Sequence, residues 1–206
     1  DLHSFPTRRS SDLEPAAGGD DNKGVIFEFD PVVSTYIKKI SSMPSPNGRL
    51  PESGLSYNGT NIHGLTKQGG SEGLGAIFEW DLGAGQFNKK YDFNPGTAAG
   101  RVPVGTMTLL NGKYYGVGFY DETPIYTSWV LYQWDPTTNI YTAKSTSGLL
   151  GMLPVGKLVA SGGYLYGMYS GRNGGPNGGI FRYDTATDAV DRKSTRLNSS
   201  HRTGSR

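Results

Sequence analysis

Four aspartates recur at nearly even intervals, Asp30, Asp81, Asp135 and Asp184, separated by 51, 54 and 49 residues. Repeated carboxylates could ligate a metal or serve in acid–base chemistry. Each one, however, closes an alternating apolar run: Phe27-Glu28-Phe29-Asp30, Phe78-Glu79-Trp80-Asp81, Tyr132-Gln133-Trp134-Asp135 and Phe181-Arg182-Tyr183-Asp184. An aspartate at that place caps the backbone amides of the turn that follows. A group that repeats with the fold serves the fold, whereas a catalytic group should break the repeat. His63 is the single histidine between residues 14 and 190, and alone it makes neither a metal cluster nor a Ser/His/Asp set. It precedes Gly64 as Tyr115 precedes Gly116 and Tyr166 precedes Gly167, which points to packing.

One loop breaks the pattern. Residues 118–128 contain Asp121 and Glu122, a pair that could bind Ca²⁺ or serve a hydrolase, against the simpler reading of a solvated loop. Phe119, Tyr120, Tyr126 and Trp129 flank it, and such side chains suit contact with sugar or protein as well as packing between sheets. The ligand-binding candidates are therefore Phe119, Tyr120, Asp121, Glu122, Tyr126 and Trp129. No catalytic or metal-ligating residue is assigned, and no cofactor is expected. The glycine clusters at 69–75 and 171–179 neither open a helix nor carry Gly-Lys-Ser/Thr, so they read as loops and not as phosphate cradles. Lys38-Lys39 and Lys89-Lys90 fall on outer strands, where lysines discourage edge aggregation.

The elements that place these residues come from the repeat itself, whose period near 50 marks a propeller or solenoid. Gly24–Asp30 alternates and reads as a strand; Thr35–Ile40 returns. Tyr36, Phe87 and Tyr141 each follow an aspartate by six residues. Asn58-Gly59 and Asn111-Gly112 read as two-residue hairpin turns with both residues at positive φ. Pro51, Pro103 and Pro154 keep the same register and are expected just ahead of the first strand of each unit. Four strands per unit, paired as two hairpins, make one blade. The fold class is all-β, a partial β-propeller of about three and a half four-stranded blades: a half blade at 24–40 and blades at 48–93, 101–146 and 151–190.

Residues 1–13 and 191–206 look like translated sequencing-library adapters, with no packed structure expected. The chain carries a formal charge of +2. The first segment is neutral and the last contributes +4, which leaves −2 (2−4) for residues 14–190. A basic-surface case for nucleic acid or anionic membrane therefore rests on the tail and fails. The chain has 31 Gly, 12 Pro and no Cys, which excludes disulfides, Cys-based zinc sites and thiol nucleophiles. No apolar run approaches the ~20 residues of a membrane helix.

The Asp-Pro-x-Thr-x-x-Tyr turn resembles that of kelch repeats. The whole unit, Asn111-Gly-Lys-Tyr-Tyr-Gly116, a loop, then Phe-x-Trp/Tyr-Asp, more closely resembles the extracellular GloVer tandem repeats. That resemblance implies a bacterial cell-surface or secreted protein and no established activity. The functional expectation is a non-enzymatic repeat module whose partners are a polysaccharide or protein ligand and further repeats and domains of the same full-length chain. The alternatives are a fragment of a carbohydrate-active propeller enzyme or a purely structural spacer. An open row of blades leaves faces unpaired, so residues 14–190 alone are expected to be marginally stable or to aggregate.

Overall fold

The computed structural model describes residues 23–40, 47–51, 53–94, 101–119, 129–144, 152–171 and 178–194. Among them there are fourteen strands and no helix. The first sheet is the hairpin β1 (Ile26–Asp30) and β2 (Thr35–Ile40). The second holds β3 (Ser56–Tyr57), β4 (Ile62–Thr66), β5 (Ala76–Asp81) and β6 (Gln86–Asp92) in chain order. The third holds β7 (Arg101–Leu110), β8 (Lys113–Phe119), β9 (Trp129–Asp135) and β10 (Ile140–Lys144). The fourth holds β11 (Met152–Ser161), β12 (Tyr164–Gly171), β13 (Gly179–Asp184) and β14 (Val190–Ser194). Antiparallel four-stranded meanders stacked face to face are the build of propeller blades.

The repeated turns form as the residues dictate. Asp30 Oδ1 accepts from the amides of Val32 and Val33, Asp81 Oδ1 from Gly83 and Ala84, Asp135 Oδ1 from Thr137 and Thr138, and Asp184 Oδ1 from Ala186. Four residues past each aspartate the chain takes a left-handed conformation, at Ser34 (φ 52°), Gly85 (63°), Asn139 (57°) and Asp188 (57°). The aspartate orders the turn, and the left-handed residue reverses the chain into the last strand.

Three expectations need correction. Asn111-Gly112 is a two-residue turn with φ of 51° and 76°, but Asn58-Gly59 is not. Asn58 Oδ1 accepts from Thr60 N–H and Asn61 N–H at 2.9 and 2.7 Å, which opens the connection to four residues. Pro103 and Pro154 do not precede the first strands but lie within β7 and β11. Both strands tolerate this because a bulge follows at Gly105 (φ 71°) and Gly156 (φ 75°), where the register shifts. Finally, β14 runs to Ser194, past the expected end of the folded unit at 190. Backbone pairing accepts almost any side chain on an edge strand, and the Arg182–Asp191 pair at 3.5 Å lies on it. Residues 1–22 and 195–206 lie outside the described residues.

The core lies between sheets, in three clusters of one design. Ile26 of the first sheet meets Ile62, Phe78 and Trp80 of the second. Leu65 and Ile77 of the second meet Tyr114, Tyr132 and Trp134 of the third. Val117 and Leu131 of the third meet Leu165, Phe181 and Tyr183 of the fourth. Fully burying one such aromatic contributes about 2–3 kcal/mol. Within each complete sheet an aromatic ring of the third strand covers a glycine of the second: Phe78 over Gly64, Tyr132 over Gly116 and Phe181 over Gly167. A Cβ at any of the three would overlap the ring.

Candidate functional site

The polar groups with the most constrained geometry sit between the second and third sheets. Pairing of β4 with β5 sets His63 directly opposite Glu79. His63 Nε2 lies 3.0 Å from Glu79 Oε2, and His63 Nδ1 lies 2.9 Å from the Tyr114 hydroxyl on the next sheet. The imidazole is fully buried, edge-on to Trp134 with ring centroids 5.2 Å apart. Burial holds its pKa below the ordinary 6.5, against the opposing pull of Glu79. Burial would raise the Glu79 carboxyl, but hydrogen bonds from Asn61 and His63 and the charge of Lys90 hold it below the ordinary range. Burial pushes the Tyr114 hydroxyl well above its ordinary pKa. A neutral imidazole with its proton on Nε2 satisfies all three groups: it donates to Glu79 and accepts from Tyr114. With the ring wholly covered, a substrate cannot reach either nitrogen, and the chain of hydrogen bonds locks one sheet to the next.

His63 was expected to pack, and it does. Its partners Glu79 and Tyr114 were not singled out from the sequence. The signal for them was register, since Glu79 is the cross-strand neighbour and Tyr114 stands just before Tyr115, the repeat counterpart of His63.

Of the six ligand-binding candidates, Phe119 and Trp129 are described; Tyr120, Asp121, Glu122 and Tyr126 lie outside the described residues. Phe119 and Trp129 face each other across β8 and β9, at the base of the 120–128 loop. Trp129 is only 3% exposed and its ring centroid lies 6.0 Å from that of Phe181 on the fourth sheet. Phe119 is half-buried against the same cluster. Trp129 is thus a packing ring between the third and fourth sheets, not a surface one.

The glycine loop before β5 is held by its own backbone, with Gly75 N–H donating to Gly69 C=O at 2.9 Å. Gly70 runs so close to Asp92 that an added Cβ would lie 2.6 Å from Oδ1. A carboxylate there repels phosphate, in keeping with the loop reading. Between the first and second sheets lies a cleft of about 350 Å³, lined by Ile26, Leu55, Ile62 and Trp80, with the Glu28–Lys39 ion pair (2.8 Å) at its rim. Among the described residues no three His, Asp or Glu side chains converge to hold a metal ion. Among them also, no helix is long and apolar enough to cross a membrane, which says nothing of strands.

Comparison with solved structures gives weak likenesses. TolB from Acinetobacter baumannii is 16% identical with a TM-score of 0.48, over 82% of this chain and 37% of that one. A Synechocystis ACO mutant is 13% identical with a TM-score of 0.47, over 83% and 43%. The tricorn protease is 14% identical with a TM-score of 0.37, over 88% and 20%. The chain thus spans less than half the length of each. No curated protein matches it. The Gloeobacter/Verrucomicrobia repeat, in contrast, matches residues 15–181, nearly the whole stretch over which the spacing of 49–54 residues recurs. On that match, the chain belongs to the Gloeobacter/Verrucomicrobia repeat family.

Proposed function

We propose that residues 14–190 form a non-enzymatic tandem-repeat module of a secreted or cell-surface bacterial protein, built as about three and a half kelch-like propeller blades, whose loops bind a carbohydrate or a protein. On this reading residues 1–13 and 191–206 are foreign adapter translations, and the family match at 15–181 falls between them. One observation supports the binding role above the others: the repeated aspartates and the buried histidine with its two partners are already engaged. The repeated aspartates cap turns, and His63, Glu79 and Tyr114 satisfy one another out of reach of solvent. What varies between repeats is the loop sprung from Phe119 and Trp129, with Tyr120, Asp121, Glu122 and Tyr126 in it.

Glycan-array and pull-down binding of the wild-type chain, repeated with Tyr120→Ala and Tyr126→Ala, tests this. Binding that drops at least about tenfold in the variants, with unchanged melting, supports it. Binding indifferent to both substitutions, or absent throughout, leaves the spacer reading. Release of reducing sugar that is lost in Glu122→Gln supports the enzyme alternative.

A further inference from the structure

The three sheet-to-sheet interfaces obey one rule, and the two end faces of the row carry its two unmatched halves. Ile26, Ile77, Leu131 and Ile180 occupy the same place in successive sheets, by the same spacings as the aspartates. The first three are buried against the aromatic face of the following sheet, while Ile180 is 48% exposed. Beside Ile180 on that face stand Met168 at 56% and Val159 at 62%. The opposite end presents aromatics. Phe27, Phe78, Tyr132 and Phe181 share a place, and the last three are buried. Phe27 is only half-buried, with Phe29 and Tyr36 around it at ring distances of 4.6 Å (Phe29–Tyr36) and 5.5 Å (Phe27–Tyr36). Tyr36 is 66% exposed, whereas its counterparts Phe87 and Tyr141 pack against clusters.

We infer that the chain associates head to tail with a second copy of itself, the Val159–Met168–Ile180 face of one copy seated on the Phe27–Phe29–Tyr36 face of the next. The occupant follows from continuity with the existing interfaces: three times the face bearing Ile26, Ile77 or Leu131 receives the next sheet's face bearing Phe78, Tyr132 or Phe181, and the described residues carry one exposed face of each kind. The rim has a matching part. Asn139 Nδ2 donates to Lys90 C=O at 2.7 Å, and Asp188 pairs with Lys144 at 3.3 Å, so the left-handed turn residue of one sheet reaches the last strand of the sheet before. Ser34 holds that place on the free aromatic face. Contact between two different surfaces is heterologous, so it grows beyond a dimer unless the rotation closes a ring.

Analytical ultracentrifugation of the full chain over a concentration series tests this. Wild type should rise in mass past the dimer. Tyr36→Glu blocks one face and Met168→Glu the other, so each variant alone should stay monomeric, and an equimolar mixture should give a dimer and nothing larger. Both positions are exposed, and circular dichroism checks folding; Val159→Lys replaces Met168→Glu if that variant melts early. A wild-type monomer up to about 100 µM, a single variant that still self-associates, or a mixture that stays monomeric each overturns the inference.

Discussion

At one register position the second sheet carries His63 opposite Glu79, and the third carries Tyr115 opposite Gln133. Both pairs are hydrogen-bonded, at 3.0 Å and 3.2 Å, and both lie on the face that meets the next sheet. The backbone, the covering aromatic and the turn are shared. The chemistry is not: one pair holds a buried ionisable ring with a charged partner, the other a phenol and an amide. The repeat therefore fixes where a polar pair sits between sheets but leaves its sensitivity to charge and pH open.

The largest expected contrast is between truncations of these pairs. His63→Ala leaves the buried Tyr114 hydroxyl without its partner, takes one hydrogen bond from Glu79 and opens a cavity, for a loss of about 3 kcal/mol. Gln133→Ala removes one neutral hydrogen bond and should cost about 1 kcal/mol. Denaturant titration of the two variants measures the difference, and equal losses would erase the contrast. Next come the glycines that both interfaces share. Alanine at Gly64, Gly116 or Gly167 forces a Cβ into the ring above it, and each should cost about 2 kcal/mol, nearly the same in all three sheets. One indifferent site would mean that its ring does not lie where the common register puts it.

Acid should separate the interfaces too. The groups facing His63 are Glu79, Tyr114, Trp134 and, at longer range, Lys90. Its folded pKa is below its ordinary value of 6.5, so the unfolded chain takes up the proton more readily. Stability is then fully present above the unfolded pKa and falls as pH drops through it. Glu79, also held below its ordinary value, acts in the same direction at lower pH. The melting temperature should decline from about pH 7.5 to about 5.5, and His63→Gln should flatten that slope. The smallest expected effect is a gain. Tyr132 has a buried hydroxyl without a partner, where the other sheets have Phe78 and Phe181. Tyr132→Phe should stabilise by about 1 kcal/mol, read as a raised denaturation midpoint.

How much of this was legible depended on the range of the interaction. The aspartate turns were readable because the cap, its amides and the left-handed residue lie within five positions of one another. Asn58-Gly59 misled because its dipeptide signal matches Asn111-Gly112, while Asn58 turns its side chain onto Thr60 and Asn61. The proline–glycine segments in β7 and β11 concealed bulges, since the glycine that ends a strand and the one that kinks it look alike in sequence. The His63 network needed knowledge of which face meets which sheet, and spacing alone does not supply that. The burial of Trp129 was hidden for the same reason, its contact being with Phe181, 52 residues on.

The stacking of the second sheet on the third can be tested with one crosslink. Gly54 N–H donates to Thr106 Oγ1 at 2.9 Å, and a Cβ built on Gly54 lies 3.4 Å from Thr106 Cβ. That is close to the ~3.5–4.5 Å spacing of a disulfide. The chain has no cysteine of its own, so the double variant Gly54→Cys/Thr106→Cys reports on this contact alone. Mild oxidation followed by intact-mass and peptide mapping should find the two sulfurs joined within one chain. Two free thiols, or joining only between chains, would contradict a common register in which residues 52 apart meet on neighbouring sheets.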